Sequence, residues 1–210
     1  MTKLSLILTA ALLVNGTSNA PVCAQSPTNK IDSLEKAIAH ASEDTVKARS
    51  LCRLCWELKN IGRYNEALKT GEEGLAIALR RKDDKGAAEC LNGLGVVFDS
   101  QGDYGKATDY YLQSLKIFEE IRDKRGISAC LNNLGLAYSA QGDYGKAADF
   151  YLKSMKIRQE VGDTFGVAGC LGNLGAVFKE QGDYEKAADH YLQSMKLYEI
   201  MGNKRGKALC

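Results

Sequence analysis

The sequence repeats with a period of 40 residues, which limits the chain to a narrow set of folds. Leu51, Leu91, Leu131 and Leu171 open four units. Within them Gly62, Gly102, Gly142 and Gly182 align, as do Tyr64, Tyr104, Tyr144 and Tyr184. Ala67, Ala107, Ala147 and Ala187 follow, and Cys90, Cys130, Cys170 and Cys210 close the units at 51–90, 91–130, 131–170 and 171–210. No gap is needed, and about half of the second unit recurs in the third. Such a steady register predicts a stacked solenoid in which each unit touches only its neighbours.

Each unit reads as two helices. In the third, Ile127, Cys130, Leu131, Leu134, Gly135 and Tyr138 fall on one face of an α-helix. Gly142 breaks the pattern as a C′ glycine, and Asp143 follows as the N-cap of the next helix. Tyr144, Ala147, Ala148, Tyr151, Leu152, Met155 and Ile157 form that helix's apolar side, and Gly162-Asp163 repeats the stop and start. Both prolines, Pro21 and Pro27, stand near the N-terminus, so the glycines mark the joints.

This pattern resembles the tetratricopeptide repeat family over about residues 43–210. The family's order is a large apolar residue, Leu-Gly, an aromatic, Ala, an aromatic and a small residue. In the third unit these are Leu131, Leu134-Gly135, Tyr138, Ala147, Tyr151 and Ser154. The second has Leu91, Leu94-Gly95, Phe98, Ala107, Tyr111 and Ser114, and the fourth Leu171, Leu174-Gly175, Phe178, Ala187, Tyr191 and Ser194. The first is degenerate, with Leu51, Leu54-Cys55, Leu58, Ala67, Gly71 and Gly74. The common repeat spans about 34 residues and carries a proline near its end. The 40-residue period without that proline is similar to a longer-helix subclass of cargo-adaptor and bacterial regulatory proteins. The resemblance implies an all-α fold, a right-handed α-solenoid of stacked antiparallel helix pairs. Gly95, Gly135 and Gly175 accept a cost of about 1 kcal/mol each in mid-helix. We expect a close helix approach there, with Ala107, Ala147 and Ala187 opposite.

The ends carry separate signals. Residues 1–24 read as a signal peptide, with Lys3, an apolar run from Leu4 to Val14, and Val22 and Ala24 before a cut ahead of Gln25. The run is too short for a membrane span, so none is expected in this chain. A rival reading makes Cys23 a lipidated cysteine, although Val22 fits that poorly. Another is an apolar first helix of a cytosolic protein. Residues 25–42 read as a linker and an amphipathic capping helix with Ile31, Leu34 and Ile38. Residues 202–210 begin a fifth helix pair, which suggests a fragment or a partner covering that end.

The chain offers little chemistry. Its formal charge is +2, which argues against a dedicated nucleic-acid surface. No nucleophile–base pattern, phosphate loop, metal-ligand spacing or cofactor motif is present, so no enzyme, metal or cofactor is expected. Cys52 and Cys55 form C-R-L-C, but a zinc site wants four ligands and a redox pair usually accompanies a βαβ pattern. They read as buried or half-buried thiols, with thiol chemistry a weak third option. Cys90, Cys130 and Cys170 read as small core residues, held by successive repeats beyond the ~7 Å Cα limit for a disulfide. Unpaired thiols fit export only if buried. His190 replaces the aromatics Tyr110 and Phe150 and reads as their substitute.

What remains is surface. The resemblance implies a concave groove lined by the first helix of each pair. Helical phase places Arg53, Trp56 and Lys59 there from the first unit, and Asn92, Val96 and Asp99 from the second. The third supplies Asn132, Asn133, Leu136 and Ser139, and the fourth Asn173, Ala176 and Lys179. An asparagine ladder can clamp an extended peptide backbone; equally, it can bridge neighbouring helices. Trp56 is a groove anchor or a core residue of the degenerate unit, and that setting favours the core. The expected partner is a protein or extended peptide, and the expected role a non-enzymatic scaffold. The alternative is the extracytoplasmic sensor region of a larger signalling protein, with a downstream histidine kinase, nucleotide cyclase or transcriptional regulator.

Overall fold

The computed structural model describes residues 27–202. The signal-peptide reading of 1–24, the Cys23 alternative and most of the fifth-pair segment lie outside them. Among the described residues there are nine helices and no strand. They are α1 (Pro27–Ala39), α2 (Asp44–Asn60), α3 (Tyr64–Arg81), α4 (Asp84–Ser100) and α5 (Tyr104–Glu120). Then come α6 (Lys124–Ala140), α7 (Tyr144–Glu160), α8 (Thr164–Glu180) and α9 (Tyr184–Ile200). The pairs α2–α3, α4–α5, α6–α7 and α8–α9 stack into the expected all-α solenoid. Helix α1 packs on α2 through Ile31, which is buried.

Local chemistry makes the joints. Gly142 takes a left-handed φ of 81°, open to glycine at no steric cost. Its N–H donates to the Ser139 carbonyl at 3.0 Å, and the Asp143 N–H to that of Tyr138 at 2.9 Å. These two bonds satisfy the last carbonyls of α6. The Asp143 carboxylate then accepts from the Lys146 N–H at 3.1 Å and opens α7. One aspartate thus closes one helix and caps the next. Asp83, Asp103, Asp123, Asp163 and Asp183 cap their helices in the same way.

Within a pair, the mid-helix glycines answer to tyrosines. A Cβ on Gly135 would lie 2.6 Å from Cε1 of Tyr151, and one on Gly95 2.6 Å from Cε1 of Tyr111. The expectation of a close approach holds, but tyrosine rings rather than the alanine side chains expected opposite are the nearest atoms, with the Ala107 carbonyl following at 3.2 Å from a Cβ on Gly95. In the first pair the bulk is exchanged: Cys55 stands where the others have glycine, and Gly71 where they have tyrosine. A Cβ on Gly71 would meet Leu94 Cδ2 at 2.7 Å and Cys55 Sγ at 3.1 Å, so these two fill the missing ring's place. The degenerate unit is therefore packed by different means. Buried serines tie the later pairs: Ser114, Ser154 and Ser194 donate to the carbonyls of Ala88, Ser128 and Ala168 at 2.7, 2.8 and 2.7 Å.

The stack curves. The first helices approach along α2–α4, α4–α6 and α6–α8, whereas α3, α5, α7 and α9 bring no Cα atoms within 8 Å of one another. The row in contact forms the shorter, inner arc. Helices α2, α4, α6 and α8 therefore line the concave side.

Candidate binding groove

Along this inner row each helix meets the next at a fixed offset. The Asn133 carboxamide donates to Asn92 Oδ1 at 3.0 Å, and that of Asn173 to Asn132 Oδ1 at 3.2 Å. The Cys130 thiol also points at Asn92 Oδ1 at 3.6 Å, and Cys170 at Asn132 Oδ1 at 4.0 Å. The ladder asparagines thus bridge neighbouring helices, as one reading allowed. All four are half-buried rather than sealed. Asn92 and Asn132 spend their oxygens here and keep the NH2 side, while Asn133 and Asn173 keep an oxygen.

The first interface solves the same contact covalently. Cys52 holds the register position of Asn92 and Asn132, and it is disulfide-bonded to Cys90 with Cα atoms 5.2 Å apart. This corrects the reading of Cys52 and Cys90 as unpaired thiols. The link is possible because residue n lies beside residue n+38 on the next inner helix. Cys52 does not pair with Cys55 in its own helix. Among the described residues the remaining thiols, Cys55, Cys130 and Cys170, are buried and free. Burial pushes the Cys55 thiol up to about 12 and that of Cys130 up to about 11. They are protonated core groups, without thiolate character.

The head of the groove is the most featured part. Trp56 is 46% exposed, with Lys59 Nζ 4.4 Å from its ring centroid. The core placement favoured for Trp56 is therefore corrected; the exchange of Cys55 and Gly71 packs the unit without it. An open cavity of about 700 Å³ lies between α2 and α4, lined by Val46, Arg49, Arg53, Trp56, Lys85 and Glu89 among others. Sequence phase missed Val46, Arg49 and Lys85, which lie a turn or two nearer their helix starts than the residues it selected. Deeper in, burial raises the Asp99 carboxyl above its ordinary range, and Lys59 partly offsets this. Burial likewise lowers Lys59, and Asp99 opposes that. Leu136 is 42% exposed, Val96 and Ser139 are half-buried, and Ala176 and Lys179 are exposed. His190 stacks on Phe178 at 5.2 Å, as Tyr110 does on Phe98 and Phe150 on Tyr138. It substitutes for an aromatic, as expected.

A profile for the tetratricopeptide repeat matches residues 58–120 and 123–200, more than half of the chain. The chain belongs to the tetratricopeptide repeat family. Comparison with curated proteins gives no match. Solved structures share the fold of this repeat array. BtubC (BKLC) from P. vanneervenii is similar at 21% identity and a TM-score of 0.69, with 85% of this chain and 74% of that one covered. A Rap protein complexed with Competence and Sporulation Factor is 17% identical at a TM-score of 0.75, covering 82% of this chain and 50% of that one. A STAND signal-transduction ATPase with a tetratricopeptide repeat sensor, from Pyrococcus horikoshii, is 18% identical at 0.73. The array covers 28% of that protein. This chain thus spans half the length or less of two of these three proteins.

Proposed function

We propose that this chain is a non-enzymatic scaffold that binds proteins or extended peptides in its concave groove. The observation that carries the reading is the row of half-buried carboxamides at Asn92, Asn132, Asn133 and Asn173. Each bonds its neighbour yet keeps a donor or acceptor for a ligand backbone. Val96, Asp99, Leu136, Ser139 and Lys179 then stand beside that row to meet ligand side chains. The Rap protein complexed with Competence and Sporulation Factor supports the reading at the level of the fold.

The test is selection of a displayed peptide library on the immobilised protein. Selected peptides are expected to lose about tenfold or more in affinity to Leu136→Glu and Lys179→Glu variants of unchanged helicity. Equal affinity for wild type and both variants overturns the groove reading.

A second reading is favoured by the STAND protein's repeat sensor: this array as the extracytoplasmic sensor region of a longer signalling protein of the longer-repeat subclass. Both readings include export, with residues 1–24 as the leader; the Cys52–Cys90 bond supports an oxidising compartment. A fusion of residues 1–24 to a phosphatase active only outside the cytoplasm tests the export. An inactive fusion counts against it.

A further inference from the structure

The groove carries a regularity beyond its amides. Trp56, Val96, Leu136 and Ala176 hold one register position on α2, α4, α6 and α8. Each repeat therefore offers one apolar tip, the largest at the head and the smallest at the tail. Directly packed helices lie about 8–10 Å apart, so the tips recur at about that spacing.

A ligand must match this spacing with side chains on one side. A β-strand advances about 3.3 Å per residue, so every third residue comes level with a tip, but successive thirds point to opposite faces. An α-helix rises about 1.5 Å per residue and comes level after two turns, but its backbone groups are spent internally. It would leave the carboxamide rungs without partners. A polyproline II chain turns once every three residues at about 3.1 Å each, close to one repeat spacing. It returns the same face to every tip, and its backbone makes no internal hydrogen bonds. Its free carbonyls fit the NH2 groups left on Asn92 and Asn132.

Charge gives the ligand a direction. Arg49, Arg53 and Lys85 line the head cavity against one carboxylate, Glu89. Arg49 pairs with Asp83 at 3.7 Å and Lys85 with Asp123 at 2.8 Å. Arg53 makes no ion pair among the described residues and stands exposed beside Trp56.

We propose that the groove takes a ligand segment in polyproline II conformation, with an apolar side chain at every third residue and an acidic residue at the end over Arg53. This rests on the groove-binding reading above. Three synthetic peptides of equal length test it against the full chain. One has leucine at every third position in a proline background and aspartates at one end. A second has the same composition with leucine at every second position. The third carries lysines in place of the aspartates. Trp56 is the chain's single tryptophan, so its emission reports on the head of the groove directly. The period-three acidic peptide should bind about tenfold tighter than either of the others. Arg53→Ala should remove most of its advantage over the lysine-ended peptide. Equal or tighter binding of the period-two peptide overturns the polyproline II assignment and leaves the groove reading standing. Equal binding of the lysine-ended peptide overturns the acidic end. If none of the three binds while library-selected peptides do, the assignment falls alone; if neither set binds, both readings fall.

Discussion

Replacing Cys52 with asparagine isolates what the disulfide does. The substitution Cys52→Asn reproduces the residue that stands in this register at Asn92 and Asn132, where the oxygen accepts from the next repeat's thiol. The polar contact to Cys90 is therefore kept and only the covalent link is lost. The bond closes a loop with a sequence separation of 38. By loop-closure entropy such a link stabilises by about 4 kcal/mol, toward the upper end of the typical 2–4 kcal/mol. In a linear stack that loss is local, because each repeat is held by its neighbours alone. It should fall on α1, α2 and α3. Hydrogen exchange read by mass spectrometry is the assay. Amides of α2 and α3 should exchange about thirtyfold to a thousandfold faster in the variant, while those of α6 to α8 stay unchanged. Adding a reductant to the wild type should give the same pattern. Unchanged exchange in α2 in both experiments refutes the reasoning, as does finding Cys52 and Cys90 separately alkylated in unreduced protein.

Three further outcomes follow from the joints and the packing. Arg122 holds a left-handed φ of 57° at the register position that Gly162 fills, and it is exposed. Arg122→Gly should therefore stabilise by about 0.5–1 kcal/mol, and a lower urea midpoint would sink the argument. Gly135→Ala should destabilise by up to about 2 kcal/mol, since overpacking against Tyr151 outweighs a gain of about 1 kcal/mol in helix propensity. Gly145→Ala, whose new Cβ would meet its nearest atom at 3.9 Å, should be neutral or stabilising in the same melt. The Lys85 ammonium, followed by the Gly126 N–H, holds the Asp123 carboxyl below its ordinary 3.8. Its stabilisation is present above that value and is lost as pH falls through the lowered one. Asp123→Asn, which keeps the cap but not the charge, should flatten the acid limb of Tm against pH; an unchanged limb would rule Asp123 out as its source.

Helix boundaries, joints and the solenoid were legible in the residues because their causes are local. The Gly142 and Asp143 joint is decided within a few residues by backbone conformation and capping. The apolar faces are decided by 3.6-residue periodicity. Much of the groove was legible for the same reason, since a helix of known phase shows which side chains leave its buried stripe. Leu136, Ser139 and Lys179 stand where that phase put them.

What one repeat does to the next was not legible. The sequence period is 40, yet residue n meets n+38 and n+41 across the inner row, an offset set by how far neighbouring helices slide when they pack. That slide joins Cys52 to Cys90 and spends half of the asparagine ladder on the fold itself. The exchange of Cys55 for glycine and Gly71 for tyrosine hid another outcome. With Leu94 filling the ring's place, Trp56 is left outside as the head of the groove. By itself the sequence determined the helices, their turns and their order, because those follow from contacts within a few residues. Only the tertiary structure decided which polar groups of neighbouring repeats bond to one another, because that depends on the stacking of whole repeats.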